Sequence, residues 1–196
     1  RWAKARGISV TAEVTPHHLL LTDECASSYD PIYKVNPPLR TQRDIEALRE
    51  ALADGTIDIV ATDHAPHGAE TKECEWQEAA FGMLGLETAL SIVNETMVAT
   101  GLLNWERVAQ RLSIAPARIG GYTEHGQELK IGANANITIF DPNQSAVVDR
   151  DLLASRSRNT PFHGKQLQGS IKATFFKGIP TYLAGELSSI NTDGAM

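Results

Sequence analysis

The residues best suited to chemistry stand at the end of one apolar run, Ile57-Asp58-Ile59-Val60-Ala61-Thr62-Asp63-His64-Ala65-Pro66-His67. Its β-branched first half reads as a buried strand. The abrupt finish in Asp, His, Pro and His serves no core purpose. In a barrel or an open α/β sheet, chemistry collects at the C-terminal ends of the strands. Asp63 therefore reads as a metal ligand and a proton-transfer carboxylate, and His67, just beyond Pro66, as a substrate contact.

Other stretches admit two readings. Asn36, in Lys34-Val35-Asn36-Pro37-Pro38-Leu39-Arg40, is held by a double proline that forbids helix and fixes an extended turn. A pre-organised Asn can donate to and accept from a substrate amide. From composition alone, an Asn bonding its own backbone in a turn is the stronger reading. Gly82, in Phe81-Gly82-Met83-Leu84-Gly85, lets backbone approach a ligand closely, and equally makes a plain turn. His17 and His18 read as hydrogen-bonded packing residues beneath a loop. A His pair without a carboxylate or a third nitrogen at fixed spacing is a weak metal signal. His163 has no evident partner and reads as structural.

The elements that must position these groups follow from pattern. Arg1-Trp2-Ala3-Lys4-Ala5-Arg6-Gly7 looks like the last turns of a helix closed by glycine. An alternating strand over 8–14 follows, with Thr15-Pro16-His17-His18 at its functional end. Thr41 caps a helix whose first turn holds Asp44, whose apolar stripe is Ile45, Leu48 and Leu52, and which stops at Gly55. Helix end, strand, loop, helix, strand is parallel α/β architecture with right-handed crossovers.

Beyond His67, the polar stretch 68–75 reads as a loop over the site. Residues 86–98, and a second helix capped by Asn104, read as core and scaffold. Residues 131–142 form a turn and an alternating strand, and 171–178 and 180–184 form two more strands. We expect a barrel portion over 1–125, a small β module over 126–187, and a loosely ordered tail over 188–196. A domain rarely opens in mid-helix, so the chain is expected to be part of a longer fold.

Composition narrows the function classes. With 196 residues, 42% of them hydrophobic, the chain can bury a proper core. A formal net charge of -6 argues against nucleic acid, which needs a basic patch. No run approaches the ~18 apolar residues of a membrane span. The two cysteines, Cys25 and Cys74, form no metal-spaced pair, and fit a reducing, cytoplasmic setting.

Five stretches, in this order, carry a resemblance. They are Glu13-Val14-Thr15-Pro16-His17-His18-Leu19-Leu20, Asn36-Pro37-Pro38-Leu39-Arg40, Thr62-Asp63-His64-Ala65-Pro66-His67, Phe81-Gly82-Met83-Leu84-Gly85-Leu86-Glu87 and Pro161-Phe162-His163-Gly164. Together they resemble the amidohydrolase superfamily and, among its cyclic amidohydrolases, the dihydroorotases of the long bacterial type. The resemblance covers nearly the whole chain apart from the tail.

It implies the C-terminal part of a metal-dependent (β/α)8 TIM barrel, with residues 8–14 and 57–62 as its last two strands, beside part of a small β-sandwich domain. It implies one or two zinc ions per site, with Asp63 as ligand and proton shuttle. Asn36, His67 and the Phe81-Gly82 backbone are the implied substrate contacts. The other metal ligands and the arginine that reads the substrate carboxylate would lie upstream of Arg1, so this segment alone is expected to be inactive.

The implied reaction is the reversible, zinc-dependent cyclisation of N-carbamoyl-L-aspartate to (S)-dihydroorotate in pyrimidine biosynthesis. The implied partners are the small-molecule substrate and either a second copy of the enzyme or aspartate transcarbamoylase. Dihydropyrimidinases and allantoinases are the enzymatic alternatives, and they usually carry Pro-Gln-Tyr or Pro-His-Tyr where this chain has Pro16-His17-His18. A non-catalytic dihydroorotase-like partner of aspartate transcarbamoylase is the third reading.

Overall fold

Two short parallel strands hold the site. β1 (Glu13–Val14) pairs in register with β2 (Ile59–Val60), Glu13 against Ile59 and Val14 against Val60. The computed structural model describes residues 1–188, so residues 189–196 of the expected tail lie outside the described residues. Before and between these strands come α1 (Trp2–Ala5) and α2 (Gln42–Asp54). After β2 come α3 (Ala69–Lys72), α4 (Ala89–Val93), α5 (Trp105–Ala109) and α6 (Ala115–Gly120). The antiparallel strands β3 (Ile137–Val147), β4 (Gln166–Phe176), β5 (Ile179–Leu183) and β6 (Glu186–Leu187) complete the order.

The strand expected over 8–14 is paired only at Glu13–Val14. Residues 8–12 are exposed, and backbone pairing, not sequence alternation, defines a strand. An ion pair sets the register at this edge. Lys4 Nζ donates to both Asp58 carboxylate oxygens at 2.7 Å, and Asp58 Oδ2 accepts from the Ala12 N–H at 2.8 Å.

α2 forms as its sequence dictates. Thr41 and Asp44 make a reciprocal capping box, and Gly55 closes the helix at φ 89°. Its apolar stripe packs Leu52 into a core with Val14, Leu19, Val60, Val93 and Met97. The helix expected over 86–98 starts at Ala89 and widens into a π-helical turn over Asn94–Val98. Asn104 caps α5 through its side chain, accepting from Arg107 N at 2.9 Å.

The small module is a four-stranded antiparallel sheet in sequential order, β3-β4-β5-β6. β3 runs past Asp141-Pro142, where the sequence suggested a stop. The chain accommodates the proline in an irregularity between Asp141 and Ser145, where pairing to β4 lapses. A second core joins this sheet to the site loops, with Phe162 and Leu167 against Val35, Leu39, Met83 and Ile92. Phe162 is fully buried there.

Candidate active site at the strand ends

Asp63 stands three residues beyond the end of β2 and is exposed. Its φ is +48°, a left-handed conformation uncommon for a residue other than glycine. Such backbone persists only where its surroundings impose it, and it collects at functional sites. Among the described residues the Asp63 carboxylate has no hydrogen-bond or ion-pair partner. It is the group free to meet a ligand.

His64, next in the chain, is differently employed. Its Nδ1 accepts from Gly85 N at 3.1 Å and Leu86 N at 3.3 Å. Ala65 N donates to Met83 O at 3.0 Å, and His64 bridges Met83 in parallel. Residues 83–86 therefore lie along the strand end as a third rung. Gly85 is required there, because a Cβ would stand 2.5 Å from Thr62 O.

His67 is partly buried, and its Nε2 lies 2.8 Å from Phe81 O. A carbonyl only accepts, so Nε2 carries the proton and Nδ1 is the free nitrogen. This refines the expected role. A neutral His67 presents an acceptor, and donates to an anion only when protonated. Gly82 is buried at φ +126°, and a Cβ on it would meet Ala65 Cβ at 2.5 Å and His67 Nε2 at 3.2 Å. The two loops touch with no room for a side chain. Phe81 itself is 57% exposed, with Lys34 Nζ 4.5 Å from its ring centroid.

Asn36 is exposed at the head of its proline turn. The turn is tied down by His18, whose Nε2 donates to Pro37 O at 2.9 Å. His18 Nδ1 then accepts from the Thr15 hydroxyl at 2.7 Å. The packing role read for His18 holds. His17 is buried beside it with Nε2 unpartnered among the described residues, and burial, then the His18 charge, pushes its pKa down to about 3. His163 is structural too, its Nδ1 accepting from Arg150 N at 3.2 Å.

The polar stretch after His67 is not a plain loop. It contains the helical turn α3, and Lys72 at its end is buried. Lys72 Nζ donates to Lys34 O and Ala80 O, both at 3.0 Å, while Lys34 Nζ donates to Trp76 O at 2.7 Å and Gln77 O at 3.0 Å. Lys34 O also accepts from Gly82 N at 2.9 Å. Two ammonium groups thus bind the carbonyls of the segment that carries Phe81 and Gly82. Burial, then the Lys34 charge, lowers the Lys72 pKa to about 8.

Sequence reasoning passed over Asn159, which is buried in the segment leading to β4. Its side chain bonds Ala65 O, Gly82 O and His67 N. The run Asn159-Thr160-Pro161-Phe162 reads only as a loop, and no local signal marks the amide.

Among the described residues no three His, Cys, Asp or Glu side chains gather as a metal cluster. A single exposed carboxylate suits one place in the ligand set of a divalent cation, and does not hold one alone. Also among the described residues, no helix is long and apolar enough to cross a membrane. Cys25 and Cys74 are both free thiols.

Beyond the parallel pair stand the exposed Asp63 carboxylate and, on two loops that touch at Gly82, the His67 imidazole. The chain belongs to the amidohydrolase family, whose pattern it matches over residues 3–180. It is 62% identical over 188 residues to the dihydroorotase of Streptomyces coelicolor, covering 96% of this chain and 44% of that protein. It is 51% identical over 187 residues to the dihydroorotase of Mycobacterium tuberculosis, covering 95% and 44%. The L-hydantoinase (dihydropyrimidinase) of Arthrobacter aurescens superposes with a TM-score of 0.88 at 32% identity, over 96% of this chain and 42% of that one. These likenesses imply the TIM-barrel amidohydrolase fold. The chain spans less than half the length of the curated relatives it matches.

Proposed function

We propose that these residues form the C-terminal part of a zinc-dependent dihydroorotase, interconverting N-carbamoyl-L-aspartate and (S)-dihydroorotate in pyrimidine biosynthesis. On this reading residues 1–125 complete a (β/α)8 barrel and residues 126–187 belong to a small β-sandwich domain. The observation that carries the reading is Asp63, an exposed carboxylate on left-handed backbone beyond a parallel strand. The high identity to proteins named dihydroorotase supports this choice of substrate over a hydantoin or dihydrouracil.

Asp63 is the proposed zinc ligand and proton carrier. Zinc, when bound, supplies Lewis acidity to polarise a ring carbonyl and acidify water. Asp63 would contribute its carboxylate to holding the metal, and the same carboxylate would take the proton from the attacking water and return it to the leaving ring nitrogen. Asn36, His67 and the Phe81-Gly82 backbone orient the ring. The buried ammonium groups of Lys72 and Lys34 lend positive potential beneath Gly82, which suits an anionic, carboxylated ring. The other metal ligands and the carboxylate-binding arginine are proposed to lie in the portion of the relatives' length that this chain does not match.

A substrate screen on the enzyme that carries these residues tests the reading. Turnover of dihydroorotate, with dihydrouracil, hydantoin and allantoin left untouched, is expected. Preference for an uncarboxylated ring would assign the chain to dihydropyrimidinase-type or allantoinase-type chemistry instead.

A further inference from the structure

The loop ahead of β4 reaches the site through one side chain. Asn159 is 4% exposed, and both ends of its amide are in use. Nδ2 donates to Ala65 O at 2.8 Å and to Gly82 O at 3.3 Å, and Oδ1 accepts from His67 N at 3.1 Å. Its backbone carbonyl accepts from Leu84 N at 3.0 Å. All four bonds go to the two loops that carry His67 and Gly82, and none goes to Asp63.

Asn159 is itself immobilised. Thr160 beside it is buried, and Phe162 anchors the segment in the core shared with Val35 and Met83. The close approach of Gly82 to Ala65 leaves no slack between the two loops. A buried amide that donates to one loop and both donates to and accepts from the other fixes their separation and their angle. No aliphatic residue, and no acid, reproduces that pattern.

We propose that Asn159 is a positioning residue for substrate binding, which makes the small module a working part of the site. It sets the His67 imidazole against the Gly82 peptide, while proton transfer at Asp63 proceeds without it. The assignment rests on the dihydroorotase reading for the identity of the substrate, and on the geometry alone for the fastening.

The test uses the full-length enzyme carrying these residues, with Asn159→Ser and Asn159→Asp. Serine shortens the side chain and loses the bridge. Aspartate sets a carboxylate oxygen against two carbonyls. KM for dihydroorotate should rise about tenfold in the first and further in the second, with kcat within about twofold and zinc content unchanged. Amide hydrogen exchange at His67 and Leu84 should quicken in both, with α2 unaffected. Unchanged KM, a fall in kcat at constant KM, or failure of both variants to fold would overturn the proposal. If the wild-type enzyme turns over a different cyclic amide, the functional reading fails, and the KM shift is read on that substrate instead.

Discussion

Gly82→Ala strikes the tightest contact of the site. At φ +126° an L-residue is strained, which costs roughly 1–3 kcal/mol. The new Cβ would also stand 2.5 Å from Ala65 Cβ, well inside van der Waals contact. Overpacking of this kind adds roughly 1–3 kcal/mol. Together these come to roughly 2–6 kcal/mol, more than the hydrogen bond from Gly82 N to Lys34 O can resist. The loop should yield locally and carry the Phe81 carbonyl away from His67.

The assay is twofold, urea unfolding for stability and steady-state kinetics for KM. We expect stability to fall by roughly 2–6 kcal/mol and KM to rise at least tenfold. Adding Ala65→Gly removes the worst clash and leaves the backbone strain and the 3.2 Å approach to His67 Nε2. The double variant should therefore recover roughly half the loss, a coupling that a double-mutant cycle reads directly. Wild-type stability and KM in Gly82→Ala would mean that the contact at Gly82 does not hold the two loops. So would an Ala65→Gly companion that adds its own loss without relieving the first.

Two pH effects and their removal follow from the buried groups. Lys72 sheds its proton at about 8 in the fold and near 10.5 when unfolded, so the unfolded chain binds more protons in between. Stability should rise as pH climbs through that window, and Lys72→Met should abolish the rise in pH-dependent unfolding curves. His17 titrates at about 3 in the fold and near 6.5 when unfolded. Acidification through that range should therefore destabilise the protein, on the order of 3 kcal/mol by pH 4 relative to pH 7. His17→Leu should flatten this acid limb in thermal melts at pH 4 and pH 7, at little cost at neutral pH, because the imidazole leaves a buried nitrogen unpartnered.

What could be read from the sequence is what local rules decide. The capping box of Thr41 and Asp44, the glycine stop at Gly55 and the apolar run into Asp63 each depend on near neighbours in the chain. So does the contrast between an apolar strand and its polar end, which singled out Asp63 and His67. The fastenings could not be read the same way. Asn159 meets Ala65 and Gly82 across 94 and 77 residues, and nothing local marks its amide as the bridge. Lys72 sits in a charged stretch that reads as solvated, yet the fold buries its ammonium against carbonyls from Lys34 and Ala80. His67 reads from the sequence as a substrate contact, yet nothing local shows that its Nε2 proton is already committed to Phe81 O. Strand extent also escaped pattern, because residues 8–11 alternate correctly but have no ladder partner among the described residues, while Ala12 reaches the start of β2 through its carbonyl, which accepts from Asp58 N at 2.8 Å.

The most direct measurement is turnover of dihydroorotate by the full-length enzyme carrying Asp63→Asn, read beside its thermal unfolding. Asparagine keeps the shape and loses the charge and the proton-accepting oxygen. Turnover should fall by at least a thousandfold, with the melting temperature within a few degrees of wild type. Near-normal turnover in a well-folded variant would contradict the assignment of Asp63.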